Sequence, residues 1–159
     1  MSELAPQPVQ ASNISGKNLV TKKHQLPPLQ YDYAALESTI DARTMILHHD
    51  NHHGGYDKKK LNEALEKFPE FQDKSAAWLL CILDQLPTSI KTAVHNNAGG
   101  HVNHSMFWRA MKPSGTNEPK GALRDAISRD FGSFAEFKKC FEDEGAKVFS
   151  SGWVWLVCS

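Results

Sequence analysis

The stretch DARTMILHHDNHHGGYDKKKLNEAL, residues 41–65, decides how the chain is read. Asp41 has the side chain of a helix N-cap, whose oxygen can accept an orphan backbone N–H of the first turn. Met45, Leu47, Leu61, Ala64, Leu65 and Phe68 then carry one apolar face through a long helix, and Pro69 ends it. Within that helix His48 and His52 are four residues apart, as are His49 and His53, so each pair shares a face. Neutral imidazole suits manganese, iron, zinc and copper alike, so this cluster predicts a metal site without naming the metal. Gly54 and Gly55 weaken the helix by roughly 1 kcal/mol each relative to alanine.

Outward from this stretch, His24–Leu29 is a proline-set extended segment, because each proline disfavours helix in the residue before it. Downstream, apolar spacing predicts a second helix over Lys74–Leu86, closed by Pro87, and a third from about Thr88 through Trp108 and Met111. Segments of this length pack most economically as an antiparallel hairpin. The third helix carries a second pair, His101 and His104, three apart and again on one face, with Phe107 and Trp108 beside them. The run KPSGTNEPK, residues 112–120, marks the one internal boundary. Two shorter helices follow, near Gly121–Asp130 and Ser133–Glu144; Ser133 with Glu136 has the form of a capping box. Ser151–Val157, SGWVWLV, reads as a β-strand with no later segment to pair with.

Three regions result: a flexible arm over residues 1–23, a helical hairpin over 24–113, and an incomplete α/β region over 114–159. The fold class is α+β, mostly α in the sequence given. The 159 residues are 40% hydrophobic and 23% charged, with 18 Lys and Arg balancing 18 Asp and Glu. Zero formal charge gives no electrostatic case for a nucleic acid or an anionic membrane as partner. No apolar run approaches the ~20 residues that span a bilayer. Cys81, Cys140 and Cys158 stand far apart with no CxxC pair, which argues against a cysteine-built zinc site and for a reducing compartment. The zinc-protease motif HExxH fails, since His49 or Asp50 stands where its glutamate is needed, and no GxSxG elbow, Walker loop or GxGxxG occurs.

Six motifs in order carry a family resemblance: His24-x-Leu-Pro-x-Leu, Ala35-Leu-Glu37, His48-His-x-x-His-His-x-x-Tyr56, Asn96-Asn-x-Gly-Gly-His-x-Asn-His104-Ser-x-Phe-Trp108, Phe131-Gly-Ser-Phe134 and Ser151-Gly-Trp-x-Trp-Leu-Val157. Together, from His24 to Val157, they resemble the iron/manganese superoxide dismutases. The resemblance implies a helical hairpin followed by an α/β domain with a three-stranded sheet, of which this sequence would hold the first strand. It implies His48 and His104 as metal ligands, Tyr56 and His52 as gateway residues able to relay protons, His53 close behind them, and Trp108 and Trp153 as apolar walls. Trp108, at helical spacing from His104, also reads simply as a core residue. Gly99-Gly100-His101 resembles the manganese-type version, the iron type usually placing glutamine where Gly100 stands, so manganese is expected, with iron the alternative. The implied reaction converts superoxide to oxygen and hydrogen peroxide by redox cycling of the metal. The implied assembly is a homodimer or homotetramer; the cytoplasm is the expected compartment because residues 1–23 hold no Arg and an early Glu3, a poor mitochondrial presequence, with the mitochondrial matrix as the alternative.

Two departures from the family stand out. The DxWEHAY segment, which supplies the family's aspartate and third histidine ligands, does not occur in these 159 residues. Two imidazoles alone bind a hard divalent ion weakly, so a second reading is a catalytically inactive relative that serves as a metal-binding or assembly partner. Asp50 is the carboxylate nearest in sequence to the first ligand. The second departure is that Leu61 stands five residues past Tyr56, where family members usually place leucine four past it; a π-bulge would absorb the extra residue.

Overall fold

A computed structural model describes residues 23–37, 39–115 and 118–158, and of residues 57–59 the backbone alone. Apart from Lys23, the arm expected over 1–23 lies outside the described residues.

The first long helical run begins where the sequence places it. Asp41 caps α1 (Ala42–Ile46): one carboxylate oxygen accepts the Thr44 N–H at 2.8 Å and the other its hydroxyl at 2.6 Å. Winding then widens into two π-helical segments, Leu47–His53 and Tyr56–Leu61, before tightening into α2 (Asn62–Leu65). A π-turn closes its hydrogen bond five residues on rather than four, and so takes up one residue more than an α-turn. The five-residue step from Tyr56 to Leu61 is thus absorbed by the helix: Tyr56 faces the histidines and Leu61 is wholly buried. Past α2 the Gln72 side-chain amide donates to the carbonyls of Leu65 (2.8 Å) and Glu66 (2.9 Å), satisfying acceptors that a helix end leaves open.

The return arm is broken where one helix was expected over Lys74–Leu86. Ser75 caps α3 (Ala76–Cys81) by accepting the Trp78 N–H at 3.1 Å, but Ile82 (φ −105°, ψ 19°) leaves the helical region. A 3-10 turn at Leu83–Gln85 then redirects the chain, so that Leu86 drops into the core before α4 (Thr88–Ala110) begins. Leu61 and Leu65 of the first arm meet Ala76 and Leu79 of α3 and Ile90, Val94 and Ala98 of α4 in one apolar cluster. The extended segment before the hairpin is tied down at three places. The His24 N–H donates to Asn62 Oδ1 (2.9 Å) while Asn62 Nδ2 donates to the His24 carbonyl (3.0 Å). His49 Nε2–H donates to the Pro27 carbonyl (2.9 Å), and the Tyr31 hydroxyl donates to the Trp108 carbonyl (2.9 Å).

Beyond the boundary lie α5 (Gly121–Phe131) and α6 (Phe134–Lys147), close to their expected ranges. Gly132 takes φ 83°, a conformation that side chains disfavour, so that its N–H can return to the Ser128 carbonyl (3.0 Å) and close α5. Ser133 Oγ accepts the Glu136 N–H at 3.1 Å, one of the two bonds of the expected capping box. The strand expected over Ser151–Val157 is not formed: residues 152–158 run without helix or strand. A strand is defined by its ladder to a neighbour, and no described residue provides one. β-propensity alone left this segment unpaired, and its Trp153 instead turns back onto the hairpin. Mostly α is therefore the right coarse description. Among the described residues no helix is long and apolar enough to cross a membrane.

Candidate metal centre

The two histidine clusters meet where the π-helical segment crosses α4. His104 is buried one turn beyond Gly100, and its Nδ1–H donates to the Gly100 carbonyl at 2.7 Å. In neutral imidazole this puts the lone pair on Nε2. That Nε2 lies 3.1 Å from Nε2 of His48, and His52 brings a third ring nitrogen, so that donor atoms from His48, His52 and His104 all fall within 4.8 Å of one another. Two facing lone pairs repel unless a proton or a cation lies between them. A 3.1 Å separation would leave both nitrogens within reach of one shared ion. Burial, reinforced by the charges that His104 and His52 would carry, holds His48 below the usual imidazole range. It therefore favours the neutral form that a metal requires. The donor set fits a divalent transition metal.

Aromatic rings wall this cluster, with Trp108 on its buried inner side. Trp108 meets His48 edge-on at 5.0 Å between ring centroids, Phe107 lies 5.8 Å from His48, and Trp153 stands almost perpendicular to His104 at 4.9 Å. On the outer side the three histidines, Tyr56, Phe107 and Trp153 line an open groove of about 880 Å³. The Tyr56 hydroxyl lies 3.2 Å from His52 Nε2. Gly100 makes room for the Tyr56 ring: a Cβ there would stand 2.9 Å from three ring atoms. All seven expected site residues, His48, His52, His53, Tyr56, His104, Trp108 and Trp153, thus converge. His52, expected at the gateway, is geometrically also a third donor.

Three contacts escaped the sequence reading. His101 lies against His53, with a ring nitrogen 3.1 Å away. His49 is buried on the opposite face, with Asp50 2.7 Å from its Nδ1, and the Tyr33 hydroxyl donates to the same carboxylate at 2.7 Å. Asp50, the carboxylate nearest in sequence, is thereby held by the N-terminal segment, outside the group of three donors. Gly100 is the third. A glycine on a helix facing a tyrosine 44 residues earlier in the chain leaves no local pattern, whereas histidines four apart on one helix do.

The profile of iron/manganese superoxide dismutases, alpha-hairpin domain, matches residues 23–112, and that of the C-terminal domain of the same enzymes matches residues 119–159. Superoxide dismutase [Mn] 1 of Leptolyngbya boryana is 48% identical over 149 residues, covering 94% of this chain and 60% of that protein. Superoxide dismutase [Mn] of Thermus aquaticus is 50% identical over 133 residues, covering 84% of this chain and 65% of that protein. Superoxide dismutase [Mn/Fe] of Methylomonas sp. (strain J) is 47% identical over 133 residues, with the same coverage. The chain spans 60 to 65% of the length of these relatives. With both domain profiles matched in order and the histidines of the motifs gathered at one point, the chain belongs to the iron/manganese superoxide dismutase family.

Proposed function

We propose that this chain serves in superoxide removal, two superoxide ions and two protons giving oxygen and hydrogen peroxide, at a manganese ion held by His48 and His104. Iron is the alternative ion, since the Methylomonas relative is named for manganese and iron together. The observation that carries the reading is the 3.1 Å approach of the two Nε2 atoms, with His104 Nδ1 already committed to the Gly100 carbonyl. A bound manganese would supply the one-electron chemistry, taking an electron from one superoxide and returning it to a second. The protein's own residues prepare the site. Trp108, which is buried, keeps water from the inner side of the histidines, which strengthens every electrostatic interaction there, while Phe107 and Trp153 give the groove an apolar wall. The groove mouth is framed by Tyr56 and His52, whose hydroxyl and ring nitrogen, 3.2 Å apart, can hold and pass the protons that peroxide needs. His53 stands behind them on Trp108.

In this reading residues 24–113 are the metal-holding hairpin and 114–159 belong to a second domain that contributes Trp153. Superoxide is the partner molecule, assembly is a homodimer or homotetramer, and the compartment is a reducing one such as the cytoplasm. The three free, exposed cysteines are consistent with that compartment. The test is manganese uptake and stopped-flow superoxide decay for the purified chain and for His104→Ala. Wild-type chain that binds manganese and speeds decay, with both effects abolished in His104→Ala, supports the reading. Decay that survives the substitution refutes the assigned site. Manganese uptake with no decay would leave a metal-binding partner protein in place of an enzyme.

A further inference from the structure

His52 stands in two places at once. It frames the groove mouth with Tyr56, whose hydroxyl lies 3.2 Å from its Nε2, and it also brings a ring nitrogen within 4.8 Å of donors on both His48 and His104. The three rings form a nearly equilateral triangle. Centroids of His48 and His104 are 5.0 Å apart, those of His52 and His104 5.0 Å, and those of His48 and His52 5.4 Å. Two corners come from the π-helical segment and the third from α4 across from it. His104 is buried and its Nδ1 is committed to the Gly100 carbonyl, so that corner is fixed. His52 is exposed, so its ring turns toward the other two without disturbing the core. The donor chemistry is uniform: three imidazoles and, among the described residues, no carboxylate. Asp50 is tied instead to Tyr33 and His49.

We propose that His48, His52 and His104 form a three-imidazole site that takes zinc, or another late divalent ion, in preference to manganese. Ligand type sets the order. Manganese stands at the weak end of the divalent series and suits carboxylate, carbonyl and water oxygens, whereas imidazole suits zinc, nickel and copper. Three histidines beside an open groove are a donor set that zinc accepts, with its remaining position left to the groove side. Zinc has no redox chemistry, so a chain that holds it removes no superoxide. Binding also spends a ring nitrogen of His52 that the manganese reading reserves for protons at the groove mouth. The choice of ion is thus a control on the site. That consequence rests on the proposed function; the preference for zinc rests on the donors alone.

Calorimetric titration of the purified chain with Zn²⁺ alone and with Mn²⁺ alone tests the preference, in the wild type, His52→Ala and His95→Ala. His95 lines the same groove but stands outside the donor group, so it serves as the control. The wild type should bind Zn²⁺ at least about tenfold more tightly than Mn²⁺. Loss of a direct ligand costs no less than loss of a partner behind one, so His52→Ala should raise the Zn²⁺ dissociation constant by at least about 10- to 100-fold. The Mn²⁺ constant should rise less, and His95→Ala should change neither. Nitrogen-15 NMR of the histidines in the wild type needs no variant to fold: one ring nitrogen each of His48, His52 and His104 should shift together on Zn²⁺ addition. A wild type that prefers Mn²⁺, His52 nitrogens that Zn²⁺ leaves in place, or His52→Ala with unchanged Zn²⁺ affinity overturns the proposal. Tight Zn²⁺ binding through His52 without Mn²⁺ uptake supports it and removes the manganese reading. Mn²⁺ uptake with no preference for Zn²⁺ does the reverse, and a chain that binds neither ion overturns both.

Discussion

The hairpin and the region after residue 120 are built from equally good helices that end in different circumstances. Asp41, Ser75 and Ser133 each cap a helix with an oxygen 2.8 to 3.1 Å from a backbone N–H. Yet Leu61, Leu79, Val94 and Ala98 of the hairpin have essentially no accessible surface, whereas no residue of α6 is buried and α5 buries Ile127 alone. The apolar side chains of α6 instead meet one another. Phe134 and Phe141 flank Phe137 at 6.1 and 5.6 Å, beside Trp153 and Trp155, and Phe149 is 96% exposed. Caps and spacing suffice to make a helix; a second apolar layer is needed to bury it.

Substitutions in the two regions should differ most. Leu79→Ala removes a wholly buried side chain between α3 and the first arm, and should cost about 2–5 kcal/mol in urea unfolding. Phe141→Ala in α6, where the ring is more than a third exposed, should cost about 1 kcal/mol or less. Equal losses would mean that the aromatic face of α6 is covered in solution, and the contrast between the regions would collapse. Gly100→Ala comes next. Its new methyl would press the Tyr56 ring, which is anchored on one side by His52, and should cost about 1–3 kcal/mol while displacing the hydroxyl from His52. A crystal structure or tyrosine ring NMR of the variant checks it, and an unmoved ring would show that α4 yields instead. Ser133→Ala should cost about 1 kcal/mol through the lost cap, measured as helicity and thermal midpoint. It sharpens the comparison because α6, with no buried residue, depends on its cap more than α3 does.

How far the sequence could be read follows the same division. Asp41, Pro69, Pro87 and Ser133 mark helix ends by chemistry confined to a few residues, and those ends were legible. The metal cluster was legible too, because His48 with His52 and His101 with His104 share helix faces by arithmetic. What was lost depended on distant partners. Ile82 breaks the α3 run because Leu86 must reach the core, and nothing within four residues of Ile82 announces it. Ser151–Val157 has the composition of a strand but no described neighbour to ladder with. His101 reads as the companion of His104 on one helix face until the fold sets it 3.1 Å from His53 of the other arm.

The smallest effect separates a long-range contact of the hairpin from a local one of α6. Tyr33 lies 17 residues before Asp50, and its hydroxyl donates to that carboxylate at 2.7 Å; the bond, then burial, then the charges of Asp50 and Asp32 raise its pKa above the ordinary tyrosine value. The protonated hydroxyl is the form that bonds, so its stabilisation is full below about pH 10 and is lost as pH rises through the higher value of the folded state. In α6 the Lys139–Asp143 pair, four residues apart and open to water, also raises the lysine, but solvent and salt screen it. Urea midpoints followed from pH 9 to 11 should therefore fall less steeply in Tyr33→Phe than in the wild type, while Lys139→Gln should leave the slope unchanged. A Tyr33→Phe slope equal to the wild type would mean that the N-terminal segment is held by its Asn62, Pro27 and Tyr31 contacts without help from Tyr33. A flattened slope in Lys139→Gln would show that exposure in α6 is less than its side chains present, and would draw the two regions back together.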